Sequence, residues 1–353
     1  MTALVKNIIG AKPSPAAAEV RFLTVDGESA GQRLDNFLFR QLKGVPKTHV
    51  YRIIRSGEVR INKGRVQAET RLAEGDVLRL PPVRVASRAE EGAPAAAPAR
   101  EFPLLFEDES MLAIDKPAGV AVHGGSGVSF GVIEQLRRAR PAARFLELVH
   151  RLDRETSGIL LVAKKRSALT ALQDQFRDRE TGKTYLALVE GDWPANRKVL
   201  DAPLAKFLLP GQAGSSEPGE RRVRVVAKDH PDAMRAVTLV KVVSRFALQG
   251  DASPVSLLAV TIKTGRTHQI RVHLASAGHP IAGDDKYGGF ERNRALQKLG
   301  LKRMFLHAWR LQFTHPGSGA RVALQADLPP ELRGLVPQSV LDALAAPTST
   351  TSS

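Results

Sequence analysis

The sequence predicts an α+β protein of two domains, a small one followed by a larger one built on a mostly antiparallel sheet. The chain has 353 residues, and a domain typically takes about 150. Residues 84–101 are rich in Ala, Pro and charge and sustain neither a helical nor a strand period, so we interpret them as a linker. Beyond the linker, strand candidates outnumber helix candidates and do not alternate with them regularly, which favours α+β over α/β.

The predicted first domain spans residues 20–83 and begins with two short helices. Leu34, Phe37, Leu38 and Leu42 recur at helical spacing, and a second helix around Val50–Ile54 ends at Ser56-Gly57. Short alternating strands follow, joined by a turn at Asn62-Lys63-Gly64. Residues 1–19 lack the continuous apolar stretch of a signal peptide, so we expect a disordered arm.

The predicted second domain spans residues 102–330. Its strand candidates are MLAIDKP, GILLVAKK, YLALVEG, VTLVKVV and SLLAVTIK, and its predicted helices cover 130–140, 167–179 and 267–277. Residues 331–353 are interpreted as a C-terminal extension that ends in a disordered, polar tail.

The charge of the chain indicates a polyanionic partner. Lys and Arg number 52 against 36 Asp and Glu, a net charge of +16, and the pI is about 10.4. The apolar runs are far shorter than the ~20 residues of a membrane-spanning helix, which favours nucleic acid over a membrane and a cytoplasmic location. The sequence contains no cysteine, which excludes disulfides, thiolate metal sites and a cysteine nucleophile.

Four segments concentrate the polar residues of the second domain. The first, LVHRLDRETSGILLVAKK (148–165), is by itself either a charged turn that enters a strand, with Asp153 as a local cap, or a reactive site. The other three are DKPAGVAVHGG (115–125), KTYLALVEG (183–191) and GRTHQIRVHLASAGHPIAGDDKYG (265–288).

In this order, the four segments resemble the pseudouridine synthases of the ribosomal large-subunit type. The block QRLDNFLFRQLKGVPKTHVYRIIRSGEVRINKGRV, with GDVLRLP, resembles the S4 RNA-binding domain that precedes the catalytic domain in that family. The resemblance covers residues from about 20 to 330. It implies a catalytic domain with a mixed, mostly antiparallel bent sheet flanked by helices, the pseudouridine synthase fold.

The resemblance also implies the reaction, which is the isomerisation of specific uridines in 23S ribosomal RNA. Asp153 is the implied catalytic residue, Tyr185 the aromatic ring that stacks on the flipped-out base, and Arg271 the partner of Asp153. The carboxylate could attack ribose C1′ or remove the C2′ proton, and both routes need it ionised. A cation within about 4–6 Å favours the ionised form.

The segment around Arg271 predicts a helix that Thr267 caps and Gly278 ends. Ile270, Leu274 and Ala277 form its apolar stripe, so Arg271 is expected to lie off the buried face.

RNA-binding roles are assigned to eight further residues, although a solvated surface is the alternative for each helix face. Arg151, implied to fill the gap that the flipped uridine leaves, could instead be a plain phosphate contact. The eight residues are Arg151, Arg154, Lys164, Arg33, Lys47, Arg52, Arg55 and Asn62.

We expect no metal and no cofactor. His268 and His273 are five residues apart and cannot face one ion from a helix, and His123, His150 and His307 are interpreted as loop or core histidines. The expected partner is 23S ribosomal RNA or a large-subunit assembly intermediate, bound by a monomer. The alternatives are a non-catalytic assembly factor that binds ribosomal RNA and a synthase that acts on transfer RNA or other ribosomal sites.

Overall fold

A computed structural model of the chain describes residues 19–345, except 28, 43–44, 84–96, 125–128 and 210–220. Nearly all of the predicted arm (1–19), most of the predicted linker (84–101) and the polar tail (346–353) lie outside the described residues. The chain divides into two compact units, residues 1–95 and 96–353, which are described separately.

The first unit packs two helices on a four-stranded antiparallel sheet. Its elements are β1 (Arg21–Thr24), α1 (Leu34–Gln41), α2 (Lys47–Arg55), β2 (Arg60–Ile61), β3 (Gly64–Arg65) and β4 (Val77–Leu80). The strand order within the described residues is β1-β4-β2-β3. Phe37 and Leu38 of α1 and Ile53 and Ile54 of α2 are buried against the sheet with Leu78, because they recur at helical spacing.

The turn between β2 and β3 is tight because Asn62 and Lys63 both adopt positive φ angles, 48° and 69°. The Asn62 carboxamide oxygen accepts the Val77 N–H at 3.0 Å, and its amide donates to Asp76 at 2.9 Å. The turn is thereby fastened to β4.

The second unit is built on a large mixed sheet. Its strands are β5 (Leu104–Glu107), β6 (Met111–Lys116), β7 (Glu147–Leu148), β8 (Ser157–Ala163), β9 (Gly182–Glu190), β10 (Val199–Asp201), β11 (Leu204–Leu208), β12 (Arg221–Val225), β13 (Val237–Ala247), β14 (Pro254–Ile262), β15 (Leu306–Thr314) and β16 (Arg321–Gln325). Its helices are α3 (Val132–Ala139), α4 (Arg166–Asp178), α5 (Gln269–Ser276), α6 (Phe290–Lys298), α7 (Pro330–Arg333) and α8 (Gln338–Ala345).

The order in this sheet is β10-β13-β14-β9-β15-β8-β6-β5, with β16 beside β15 and β7 beside β8, as far as the described residues go. Only the β8–β15 pair among these is parallel, so the predicted mixed, mostly antiparallel sheet is confirmed. In that described part of the chain, β11 and β12 form a separate hairpin, and no helix has the length and apolar character needed to cross a bilayer.

The five strands and three helices predicted in the second domain all form, with helix ends within two residues of those expected. Strand β15 was not predicted, although it lies between β9 and β8 near the centre of the sheet. Its sequence, LHAWRLQFT, mixes polar and apolar residues, and the His307 side chain is fully buried. Strict alternation therefore fails where a buried polar group has hydrogen-bond partners.

The segment after residue 330 packs against the second unit. Leu332 of α7, Leu344 of α8 and Val336 in the connection between them belong to the same apolar cluster as Trp309 of β15. Part of the predicted C-terminal extension therefore contributes to the core of the second unit.

Candidate active site

Asp153 lies in the loop that joins β7 to β8, and a fully buried lysine helps to hold this loop. Lys116 donates hydrogen bonds from Nζ to the carbonyl oxygens of Pro117, Val120 and Arg154, at 2.8, 2.7 and 3.1 Å. The Gly119 N–H also donates to the Arg154 carbonyl. Burial lowers the pKa of Lys116 to about 7. The conformation of the loop is thus set by the segment 116–120, which precedes it by more than thirty residues.

Arg271 of α5 reaches two carboxylates. Its Nη1 lies 3.5 Å from Asp153 Oδ2, while Nε and Nη2 donate to the two oxygens of Asp284 at 2.8 and 2.7 Å. The side chains of Arg271 and Asp284 are 4% and 0% exposed, whereas that of Asp153 is 25% exposed. The arginine is therefore clamped by a buried partner and presents its remaining nitrogen to Asp153.

Burial opposes the charges of Arg271 and Asp284, but their mutual hydrogen bonds and attraction outweigh it. The pKa of Arg271 is raised and the pKa of Asp284 is lowered. Asp284 was not singled out by sequence reasoning. The available signal was its position in GDDKYG, at the end of the segment that carries Arg271.

Tyr185 lies in β9, and together with Asp153 and Arg271 it lines one pocket. Burial, and next the negative charge of Asp153, raise the pKa of the Tyr185 hydroxyl, so the phenol is neutral. Ile262 and Leu306 add apolar surface to the pocket wall, and Arg151 lines it as well. The pocket thus combines one partly exposed carboxylate, a buried cation and an aromatic ring.

The entry to α5 differs from the prediction in two ways. Thr267 does not cap the helix: the N-cap is His268, in the left-handed conformation with φ 52°, and no side chain caps it. Gln269 anchors the start instead, accepting hydrogen bonds from the Thr264 hydroxyl and the Arg266 N–H. Gly278 does follow the helix end with φ 87°, as expected.

The expectation that Arg271 lies off the buried face is also wrong. Residues 269–274 are all buried, so the helix is enclosed on more than one side and the apolar stripe does not mark its only buried face. An arginine can occupy such a position because Asp284 supplies a matching charge and two acceptors.

His268 and Tyr287, which sequence reasoning did not select, adjoin Asp153 and Arg271. The Tyr287 hydroxyl lies 2.8 Å from His268 Nδ1, and His268 Nε2 lies 3.8 Å from Asp153 Oδ2. The Tyr287 ring also lies 5.1 Å from the Arg271 guanidinium, a cation–π distance. Burial lowers the pKa of His268, which favours a neutral imidazole beside the carboxylate.

The eight residues with predicted RNA-binding roles lie in different settings. Arg151, Lys47, Arg52 and Arg55 are exposed. Arg154 contacts Glu155 at 2.8 Å, and Lys164 contacts Glu107 at 2.7 Å. Arg33 forms a two-bond contact with Asp35. Asn62 uses its carboxamide within its own turn, as described above. Their RNA contacts stay predictions.

The histidines show no metal arrangement where the chain is described: no group of three or more His, Asp or Glu side chains is placed to hold an ion. His150 accepts the Leu161 N–H at 3.1 Å, and His307 lies 2.9 Å from the Ser157 hydroxyl and 3.0 Å from the Ala326 carbonyl. Both are side chains with satisfied hydrogen bonds.

The fold and the pocket are typical of an enzyme that modifies RNA. Comparison with known sequences supports this class. Residues 110–276 match the RNA pseudouridylate synthase family, and residues 32–78 match the S4 domain. Together with the relatives described next, these matches show that the chain belongs to the RNA pseudouridylate synthase family.

Two relatives carry the same name, ribosomal large subunit pseudouridine synthase C. The Yersinia pestis protein is 52% identical over 319 residues, covering 89% of this chain and 94% of that protein. The Escherichia coli K12 protein is 51% identical over 317 residues, covering 88% and 93%.

Among solved structures, Human RNA Pseudouridylate Synthase Domain Containing 4 is similar at 27% identity and a TM-score of 0.50. The match covers 65% of this chain and 92% of that one. Human RNA Pseudouridylate Synthase Domain Containing 1, at 24% identity and a TM-score of 0.52, covers 73% and 98% and supports the fold.

Proposed function

We propose that this protein isomerises specific uridines to pseudouridine in 23S ribosomal RNA, with Asp153 as the catalytic residue. The observation that carries the proposal is the convergence of Asp153, Tyr185 and Arg271 on one pocket from three separate segments of the chain. Relatives about half identical over nearly the whole chain are named large-subunit pseudouridine synthases. A carboxylate, a cation and a ring are the groups that this reaction requires.

The chemistry breaks the bond from ribose C1′ to N1 of uracil and forms a bond from C1′ to C5. Asp153 either attacks C1′ or takes the C2′ proton to give a glycal, and in both routes its ionised form is the reactive one. The guanidinium of Arg271, 3.5 Å away, favours that form. When C5 bonds to C1′, the Asp153–C1′ bond of the first route breaks, or in the second route Asp153 returns the proton to C2′. C5 then loses its hydrogen as a proton, and N1 takes up a proton.

Tyr185 holds the base during its rotation. The uridine must leave the RNA stack to reach Asp153, and a flipped base is commonly held between or against aromatic and apolar side chains. The Tyr185 ring, with Ile262 and Leu306 in the same pocket wall, suits a planar pyrimidine. A neutral phenol adds no charge next to Asp153.

Affinity for the RNA comes from basic side chains around the pocket and on the first unit. Residues 31–80 carry 11 Lys and Arg against five Asp and Glu. Arg151 and Arg154 lie in the loop that carries Asp153, and Lys47, Arg52 and Arg55 are exposed on α2. We infer that a monomer acts in the cytoplasm on 23S ribosomal RNA or a large-subunit assembly intermediate and needs no cofactor.

The test uses large-subunit RNA labelled with tritium at uracil C5. Wild-type protein should release tritium, and Asp153→Asn should reduce release by at least about 10³-fold, as expected for loss of a catalytic nucleophile or base. RNA binding should remain within a few fold. Asp174→Asn, a change in an exposed carboxylate of α4, is the matched control and should keep full activity.

Two outcomes would overturn parts of the proposal. Absence of tritium release by the wild-type protein, with tight RNA binding retained, would favour a non-catalytic assembly factor. Equal or faster release from transfer RNA would reassign the substrate within the same family.

A further inference from the structure

The sheet of the first unit carries a row of four residues across its four strands. Phe22 of β1 is directly opposite Arg79 of β4, Arg79 is opposite Arg60 of β2, and Arg60 is opposite Arg65 of β3. Directly opposite residues in antiparallel strands project from the same face of a sheet. Leu78 and Leu80, on either side of Arg79, are fully buried, so the row lies on the face away from the core.

Three arginines in neighbouring positions are unfavourable without a counter-charge, because like charges directly opposite each other destabilise a sheet. Among the described residues of this unit, Arg33 forms an ion pair with Asp35. No carboxylate there forms an ion pair with Arg60, Arg65 or Arg79. The arrangement therefore presents uncompensated positive charge across three adjacent strands, a span of about 10 Å.

Two of the guanidinium groups are already held in place. Arg60 donates to the carbonyls of Gly57 and Lys63 at 3.2 and 3.4 Å, and Arg79 donates to the carbonyl of Glu58 at 2.9 Å. Each guanidinium has five N–H donors, so these bonds orient the groups and leave donors for an anion. An oriented group loses less entropy when it binds.

Phe22 continues the row with an exposed ring. It is 66% exposed on an edge strand, where a large apolar side chain has no partner on the described part of its face. Proteins that bind single-stranded RNA combine positive charge that tracks the phosphates with aromatic rings on which unpaired bases stack. A ring at the end of three arginines reproduces that combination.

We propose that this row, the arginine row of Arg60, Arg65 and Arg79 with Phe22 beside it, extends the RNA-binding surface of the first unit across its sheet. The arginines contact phosphates of an unpaired strand, and Phe22 stacks on one of its bases. The inference rests on the RNA substrate of the proposed function, and it assigns RNA contacts beyond the α2 face of Lys47, Arg52 and Arg55. Arg65 lines one groove with Tyr51 and Arg55, so the row continues that basic surface from α2 onto the sheet.

The experiment measures binding of the full chain to a large-subunit RNA fragment between 50 and 200 mM salt. Arg60→Gln/Arg65→Gln should weaken binding and reduce the slope of log affinity against log salt by about 1.4–1.8, at about 0.7–0.9 per phosphate contact. Arg60→Lys/Arg65→Lys should restore the slope because it retains the charge. Arg40→Gln/Arg71→Gln, which removes two exposed arginines elsewhere in the same unit, is the control and should change the slope far less.

Phe22→Ala tests base stacking independently of the arginines. It should weaken binding about 5- to 150-fold, the effect of losing one stacked base, with no change in salt slope. Because removing Arg60 and Arg65 relieves repulsion, the Gln variant should unfold at the same temperature as the wild type or higher. A lower unfolding temperature with unchanged RNA affinity would show that the row is structural and overturn the proposal.

Three further results decide the matter. If Arg60→Gln/Arg65→Gln and Arg40→Gln/Arg71→Gln lose the same amount of RNA affinity, the effect comes from net charge alone. That result would refute RNA binding by the row. Conversion of a dimer to a monomer by Phe22→Ala, with RNA binding intact, would assign the face to a second copy of the chain and also refute it. The expected binding pattern in a wild-type protein that releases no tritium would support the row and reject the proposed catalytic function.

Discussion

Arg271 is shared unequally between two carboxylates, and the inequality separates their functions. Asp284 takes both short hydrogen bonds and is fully buried, whereas Asp153 lies 3.5 Å from Nη1 and keeps a quarter of its side-chain surface exposed. If Asp153 is the catalytic residue, as we propose, a tight pair with Arg271 would restrain the carboxylate that has to reach the ribose. In the mechanism that we propose, Asp284 fixes the cation, and the cation stabilises charge on Asp153 without locking it.

Asp284→Asn tests whether Asp284 holds the Arg271 side chain in place. Removing one partner of a buried pair leaves an uncompensated charge, and we expect the free energy of unfolding to fall by about 3–5 kcal/mol. Tritium release should fall as well, because Arg271 loses its fixed position. Urea denaturation measures the first effect. Asp285→Asn, which alters the neighbouring carboxylate, 78% exposed and 3.9 Å from Arg271, should cost less than about 1 kcal/mol; a similar cost for both variants would contradict the clamp.

His307 should make the protein sensitive to mild acid. Burial lowers its pKa to about 4 from the usual 6.5, so between these values the unfolded chain binds a proton that the folded chain does not. The contribution of His307 to the free energy of unfolding is therefore fully present above pH 6.5. It is lost as the pH falls toward 4, by up to about 3 kcal/mol. Unfolding at pH 7 and pH 4.5 measures this loss.

The matched variants are His307→Gln and His230→Gln. The first should make the unfolding free energy less dependent on pH, whatever its effect at pH 7, because Gln does not titrate. Some dependence should remain from His150, whose pKa burial also lowers to about 4. The second changes a histidine in a surface turn and should leave the dependence as in the wild type. An unaltered dependence in His307→Gln would show that another group is responsible.

At the scale of elements, the loop that carries Asp153 ends where β8 meets β15. Gly158 and Ala308 are opposite each other in this parallel pair, and Gly158 has φ 106°. A Cβ at Gly158 would overlap the backbone of Ala308. The close approach brings the start of β8, five residues after Asp153, against the centre of the sheet.

Gly158→Ala should therefore combine backbone strain with a steric clash. Gly119→Ala is the control, because Gly119 also has a positive φ, 80°, but a Cβ there meets no atom within 4 Å. We expect about 1–2 kcal/mol lost at Gly119 from strain alone and a further 1–3 kcal/mol or so at Gly158 from overpacking. Thermal or urea unfolding compares the two, and equal losses would show that the clash is relieved.

At the scale of the molecule, we expect the first unit to supply affinity for RNA and the second unit to carry the chemistry. The first unit has its own apolar core, and Asp153, Tyr185 and Arg271 all belong to the second unit. Contacts to RNA that are equally strong before and during reaction lower KM without raising kcat. The basic first unit should therefore act mainly on KM.

Deleting residues 1–95 tests this division. The remaining chain should keep kcat within several fold of the wild type on saturating RNA and show a KM raised by at least about tenfold, from lost phosphate contacts. Single-turnover tritium release over a range of RNA concentrations separates the two parameters. An unchanged KM would show that the first unit does not hold this RNA, and circular dichroism of the truncated chain checks that it is folded.

The sequence by itself determined the class of protein, the order of its motifs and the residues that meet in the pocket. This was possible because Asp153, Tyr185 and Arg271 each lie in a short contiguous segment, and because two helices and several strands follow simple apolar periods. The basic character of residues 31–80 was also readable directly from composition.

The tertiary structure alone decided the Asp284 clamp, the left-handed entry of His268 into α5, the place of β15 in the sheet and the arginine row. Asp153 and Arg271 are 118 positions apart in the chain, and the row depends on the register of four strands. Local periodicity describes which face of an element is apolar, but it carries no information about which distant charge or strand will lie opposite. Buried polar groups break that periodicity, and only their partners explain why they are there.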